Sequence, residues 1–278
     1  MNKRIMGFLV GAIGLAGATT LSLSGASCSQ PAIACVVGHG SFYARYTLIS
    51  STGTGCDQLK GDEVGFSTYL APNADKSLAD YDNRSIAVQS LELGSLRQQW
   101  EVLQGPDNYD RENNKAYAFG KYSSAPDDNN ICYAGGAGGT PALAPAELNL
   151  PEVTTMDDEG NMETEPARHV RQEWKNIRVY VTADAPGTQA VGEMTYEDVL
   201  LGCSATYSFI ALYPAHYCGV DHDGDAATDD VPSEDECNPK ADPSKGRVFG
   251  SGINPDFKVR CDPEVLYCVL ADKSLAAP

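Results

Sequence analysis

An all-β, mostly antiparallel fold is predicted for this chain by three observations. Apolar and polar residues alternate with period two over most of its length, Gly, Pro, Asn and Asp clusters separate the alternating runs, and only one stretch keeps helical spacing. About eight or nine short strands with one short helix fit a β-sandwich or a barrel-like meander, and the sandwich is the favoured form.

The elements follow in order. Phe42 to Ile49 is rich in β-branched and aromatic residues, Val64 to Leu70 follows a Gly-containing turn, and Arg84 to Gln89 an Asp/Asn-rich one. Leu93, Leu96, Trp100 and Leu103 recur at helical spacing and predict one helix ending near Gly105-Pro106, its apolar stripe facing the core. Ala116 to Tyr122 returns to strand. Between 124 and 166 the pattern dissolves: Gly135, Gly136, Gly138 and Gly139 flank Ala137, prolines follow, and 147–165 holds seven acids and no base. Such composition buries little, so a mobile acidic insertion is expected there. Val170 to Thr182, an Ala185-Pro186-Gly187 turn, Gln189 to Tyr196 and Ser204 to Tyr213 carry the strongest strand signal and read as a meander. Phe257 to Cys261 and Val265 to Leu270 make a hairpin through Asp262-Pro263.

The first residues set the address. Lys3 and Arg4, an uncharged stretch from Ile5 to Leu23 and the small residues Ser24-Gly25-Ala26-Ser27 have the three parts of a secretory signal. Small residues ending in Cys28 resemble the lipobox of bacterial lipoproteins, in which the cysteine becomes the first mature residue and carries lipid. Gly25 stands where that family prefers Leu, so ordinary cleavage after Ala26 competes. Cysteine parity favours lipidation: of nine cysteines, an acylated Cys28 leaves Cys35, Cys56, Cys132, Cys203, Cys218, Cys237, Cys261 and Cys268, an even set for an oxidising compartment. The expected organisation is a signal peptide over 1–27, a lipid-anchored tether over 28–34 and a single disulfide-bonded β domain over 35–278. Loop length favours Cys218–Cys237 and Cys261–Cys268. Cys35–Cys56 and Cys132–Cys203 follow only by elimination among 105 connectivities.

Composition narrows the partners. Twenty Lys and Arg against 38 Asp and Glu give a net charge of −18, and loss of Lys3 and Arg4 with the leader takes it to −20. Nucleic acid is no natural partner for such a surface, and an anionic membrane attracts none of it, so attachment has to come through the N-terminal lipid.

The segments EWKNIRVYVTADAPGTQ, GCSATYSFIALYPAHYC and INPDFKVRCDPEVLYCVL resemble uncharacterised myxobacterial-type cell-envelope lipoproteins. The resemblance implies a cell-envelope location and brings no activity with it. Ser29 rather than Asp after Cys28 implies, in resembling lipoproteins, the outer membrane.

Catalytic signatures are missing: His39, His169, His216 and His222 form no zinc-protease spacing, and Gly65-Phe66-Ser67-Thr68-Tyr69 lacks the last glycine of a nucleophile elbow. One cluster points to metal. Eight acids without a base lie between Cys218 and Cys237, and Asp221, Asp223, Asp225 and Asp229 are the first-choice calcium ligands, since calcium takes six to eight oxygens on a turning backbone. A solvated acidic loop is the competing reading. Three functions remain open: a non-catalytic envelope lipoprotein that binds an extracellular ligand or envelope protein, adheres or is structural, with calcium as a stabiliser; a carbohydrate- or peptide-binding module with tyrosines as stacking platforms; and a secreted hydrolase with a carboxylate pair meeting in space. The second needs exposed aromatics along a groove. The third needs two converging acids, one with a raised pKa.

Overall fold

The alternation in the sequence is realised as an antiparallel meander that closes on itself. A computed structural model describes residues 33–156, 160–220 and 230–272, which belong to one compact unit beginning at Ile33. Three long strands come first, β1 (Gly40–Thr52), β2 (Gly61–Pro72) and β3 (Ala79–Ser90), then helix α1 (Leu91–Gln104). β4 (Ala118–Tyr122), β5 (Ile131–Ala134) and β6 (Ala146–Leu150) are short, and β7 (Val153–Met156) pairs only with β8 (Met162–Glu165). Long strands return with β9 (Arg168–Val181), β10 (Pro186–Asp198) and β11 (Cys203–Leu212). Two small hairpins follow: β12 (Gly219–Val220) with β13 (Val231–Pro232), and β14 (Val259–Asp262) with β15 (Tyr267–Leu270).

Eight strands form a ring in the order β10-β11-β1-β2-β3-β4-β5-β9, closed where β9 pairs with β10, and β6 lies beside the first part of β9. The favoured sandwich is thereby corrected to the barrel-like alternative. Long twisted strands paired along most of their length curl until the two sheet edges meet, which leaves no edge open.

An eight-stranded barrel has an interior that side chains can just fill, and the inward parity of each strand fills it. Phe42 and Phe66 meet edge to face at 4.9 Å, and Trp174 meets Phe209 in the same way at 5.2 Å. Ile86, Val88, Leu148, Ile177 and Met194 complete a core with no exposed surface. Each large apolar side chain so buried contributes roughly 1.5–3 kcal/mol.

Helix α1 starts because Ser90 Oγ accepts from the backbone N–H of Leu93 at 3.3 Å and Asp62 accepts from that of Glu92 at 3.2 Å. It stops at Gly105, as its sequence predicts. The apolar stripe buries Leu93 and Trp100 in the barrel core, and the Trp100 indole donates to the Pro151 carbonyl at 2.8 Å.

Two expectations are corrected. The 124–166 insertion is built into the fold at most of its described positions: β5 pairs with β9 through Cys132↔Val179, and β6 pairs with it from Ala146↔Gln172 to Leu150↔Arg168. Ala146, Leu148 and Leu150 alternate inward and are buried, so this Pro-rich stretch has a core face after all. The glycine run is not a loose linker either, for a side chain at Gly138 would strike the Tyr133 ring.

The eight cysteines pair as expected in number, but the four pairings differ: Cys35–Cys132, Cys56–Cys203, Cys218–Cys261 and Cys237–Cys268. Loop length misled, because Cys261 and Cys268 do face each other across β14 and β15, yet each reaches outward to a different segment. The described residues beyond Leu212 thus form a cross-linked region around Cys218, Cys237, Ile253, Phe257, Cys261, Cys268 and Leu270, packed on Tyr180 and Leu212 of the barrel wall. No helix among the described residues is long and apolar enough to cross a membrane.

Candidate functional site: an aromatic-rimmed groove on the barrel wall

Outward-facing residues of β1 to β4 and the first turns of α1 enclose a groove of about 820 Å³. Its floor is made of small residues. Gly65, Ser67 and Ala87 lie at outward parity on β2 and β3, where larger side chains would stand up and fill the space. A Cβ at Gly65 would meet only the Gln89 carbonyl at 3.8 Å, so nothing in the fold demands glycine there, and what it leaves is open groove. Gly94 serves differently: a Cβ there would come within 2.5 Å of the Gln89 amide, so its absence lets Gln89 lie against the helix.

Aromatics form one rim. Tyr69, Tyr117 and Phe119 keep 52, 40 and 41% of their surface exposed, and Tyr69 and Phe119 meet edge to face at 6.0 Å. Exposed rings that support each other keep their orientation without being covered, which suits a stacking platform. Arg97 and Gln98 of α1 stand on the other rim.

Glu63 closes one end with both oxygens engaged. Ser41 donates to one at 2.5 Å and the Tyr267 hydroxyl to the other at 2.6 Å. Tyr267 is itself stacked on Tyr43, ring centroids 3.9 Å apart, so the cross-linked C-terminal region fixes a polar group of the groove.

A second polar group lies inside the barrel. Burial pushes the Asp62 carboxyl up to about 7, and burial also raises that of Glu92, which accepts from the Tyr196 hydroxyl at 3.1 Å. Tyr46 beside them has a buried hydroxyl without a hydrogen-bond partner among the described residues. The hydrolase reading asks for two acids converging in a pocket, one with a raised pKa; Asp62 and Glu92 both have raised values, but neither lines the groove.

Of the residues singled out by sequence, the structure brings the eight domain cysteines together in pairs. Cys28, Asp221, Asp223, Asp225 and Asp229 lie outside the described residues. At the edge of the acidic loop Asp230 is described, and it accepts from the Tyr217 hydroxyl. Cys218, Cys237 and Cys261 bring their sulfurs within 4.8 Å of one another, a spacing that would suit a metal were these atoms not held in disulfides. Sequence reading missed the groove. Its signal was present, in small residues at outward parity beside Tyr69 and Phe119, but parity alone does not say which neighbouring strands they join.

A family profile described as MlpA matches residues 40–214, the barrel from the start of β1 to just past β11. A protein of Myxococcus xanthus described as "Putative lipoprotein MlpA" is 27% identical over 267 residues, 94% of either chain. No solved structure matches.

Proposed function

This chain belongs to the MlpA family, and from that premise we propose that it is a cell-envelope lipoprotein whose barrel wall binds a glycan chain without chemical change. The observation that carries the reading is the groove itself: three exposed aromatic rings over a floor of small residues, with planar polar groups at its margins. The C–H face of a sugar ring stacks on an aromatic ring, and the amides of Gln89 and Gln98 and the guanidinium of Arg97 match adjacent hydroxyl pairs. A peptide is the weaker fit. β2 and β3 in the floor are paired on both edges, so an extended peptide finds no strand to pair with there.

The test is titration of the mature chain with neutral oligosaccharides. Tyr69→Ala and Phe119→Ala should each weaken binding about tenfold, and Gly65→Trp should abolish it without unfolding the barrel, since a Cβ there meets only the Gln89 carbonyl at an ordinary 3.8 Å. Unchanged affinity in Gly65→Trp would move the ligand elsewhere. Anchoring is tested separately. Wild type should incorporate labelled fatty acid and fractionate with outer membrane, and Cys28→Ala should be exported but membrane-free.

A further inference from the structure

We propose that a second trough, between the opposite side of the barrel wall and the β14–β15 hairpin, binds a carboxylate attached to an apolar group. It encloses about 630 Å³ and includes Arg45 of β1, Arg178 of β9 and Arg260 of β14 in its lining. In a chain with nearly twice as many acids as bases, a random surface patch would show carboxylates in excess. Here three guanidiniums meet two carboxylates, Glu193 and Asp262.

Asp262 presents little negative surface. It is 4% exposed, and one of its oxygens accepts from Arg45 at 3.1 Å and from Arg260 at 3.2 Å. A buried carboxylate shared in this way holds two like charges side by side and points them. Burial pushes Asp262 up, yet the Glu264 backbone N–H and Arg45 outweigh this and keep it ionised below the usual carboxylate range. All three Arg45 nitrogens are engaged, since it donates also to the Tyr46 and Lys60 carbonyls and to Glu264. It therefore supplies mainly field, with four of its five donors already used.

The free forks belong to the other two arginines. Arg260 is exposed and engages only Asp262, while Arg178 is exposed and makes no hydrogen bond or ion pair among the described residues. Glu193 is the one opposing charge on the open wall; Lys175 lies opposite it in the β9–β10 register, with its ammonium paired to Glu173. A planar fork matches a carboxylate with two parallel hydrogen bonds.

The rest of the lining sets the second half of the specificity. Val191, Ile210, Val269 and Leu270 turn apolar surface toward the trough. A fully hydrated small anion would leave them wet, whereas a carboxylate on an acyl chain or on an apolar C-terminal residue would cover them. Those two sources share one chemistry, and the experiment separates them.

Four probes are titrated into the mature chain: octanoate, octanamide, N-acetyl-leucyl-leucine and its C-terminal amide. The expected result is that at least one acid binds about tenfold tighter than its amide, that Arg178→Gln removes most of this advantage, and that salt weakens the acid more than the amide. Binding by octanoate alone identifies an acyl source and by the dipeptide alone a peptide C-terminus, and both support the site. Arg178→Gln has no described partner to lose and should fold normally, while Arg260→Lys keeps the charge, removes the fork and should give an intermediate loss. Gly65→Trp should leave this binding untouched, which separates it from the glycan groove. Equal affinity for acids and amides, or full acid binding in both arginine variants, would overturn the proposal.

Discussion

The barrel and the cross-linked C-terminal region solve the same problem by different means. The barrel holds long strands around a filled interior of Phe42, Phe66, Trp174 and Phe209. Beyond Leu212 the strands among the described residues are two to four residues long, and two disulfides, Cys218–Cys261 and Cys237–Cys268, sit inside a core of ten buried residues. Packing energy grows with buried apolar area, whereas a cross-link acts by restricting the unfolded chain. Regular structure is therefore needed where area does the holding, and can be scant where covalent links do it.

The largest expected effect breaks the barrel. Phe66→Ala should cost about 3–5 kcal/mol in denaturant unfolding, because a closed ring cannot collapse around the hole. Next comes the cross-linked region. Loss of Cys218–Cys261 as the double Ser variant should cost roughly 2–4 kcal/mol and appear as local hydrogen exchange confined to 213–272. If exchange in β9 and β10 rises as much as in the Phe66→Ala variant, the two regions are one cooperative unit and the contrast drawn above is wrong.

A third prediction uses the polar end of the barrel interior. Asp62 has its folded pKa raised from 3.8 to about 7, so its contribution favours folding below pH 4 and is lost as pH rises toward 7. Asp62→Asn should flatten stability across that window and gain on the order of 1–2 kcal/mol at neutral pH, a figure reduced for partial solvent access. Stability of the wild type that climbs between pH 4 and 7, with no change in that slope on mutation, would show that Asp62 ionises freely. The smallest effect concerns the acidic loop. Calcium at about ten times its dissociation constant should stabilise the fold by roughly 1.4 kcal/mol, with magnesium as control, and Asp223→Asn with Asp225→Asn should remove the difference.

The same contrast decides what was legible. In the barrel, alternation marked β1, β2, β3 and β9 to β11, and a terminal Gly ended α1, because each signal is local; the Ser90 cap at its start went unread. Closure depends on β9 meeting β10 on one side and β5 on the other, and two-residue periodicity says nothing of neighbours. β5 and β6 escaped notice because four or five residues between Gly and Pro clusters make too short a pattern, although Ala146, Leu148 and Leu150 alternate correctly. In the C-terminal region only the hairpin could be read. The pairing of its cysteines is a long-range property, and facing positions in a hairpin are no guide when other elements approach from outside. The groove was illegible for a related reason, since an empty space is defined by residues that several strands leave small.

The segment just ahead of β1 has a mechanical consequence. Cys35 is covalently joined to Cys132 on β5, its N–H donates to the Ser124 carbonyl at 3.0 Å, and its own carbonyl accepts from Arg84 at 3.1 Å. The Val36 carbonyl accepts from Tyr122, and Gly38 donates to Gly187, the second residue of β10, at φ 71°, whose missing side chain lets the two backbones touch. A pull applied upstream of Cys35 therefore meets a sulfur–sulfur bond before it reaches Gly40, where β1 begins to pair. Without that bond the force would lift β1 from its end and part its hydrogen bonds one at a time, the weakest way to load a sheet. With it, tension passes sideways into β5, which is held by its pairing with β9. A barrel held this way can be tugged by its N-terminal end and keep its shape.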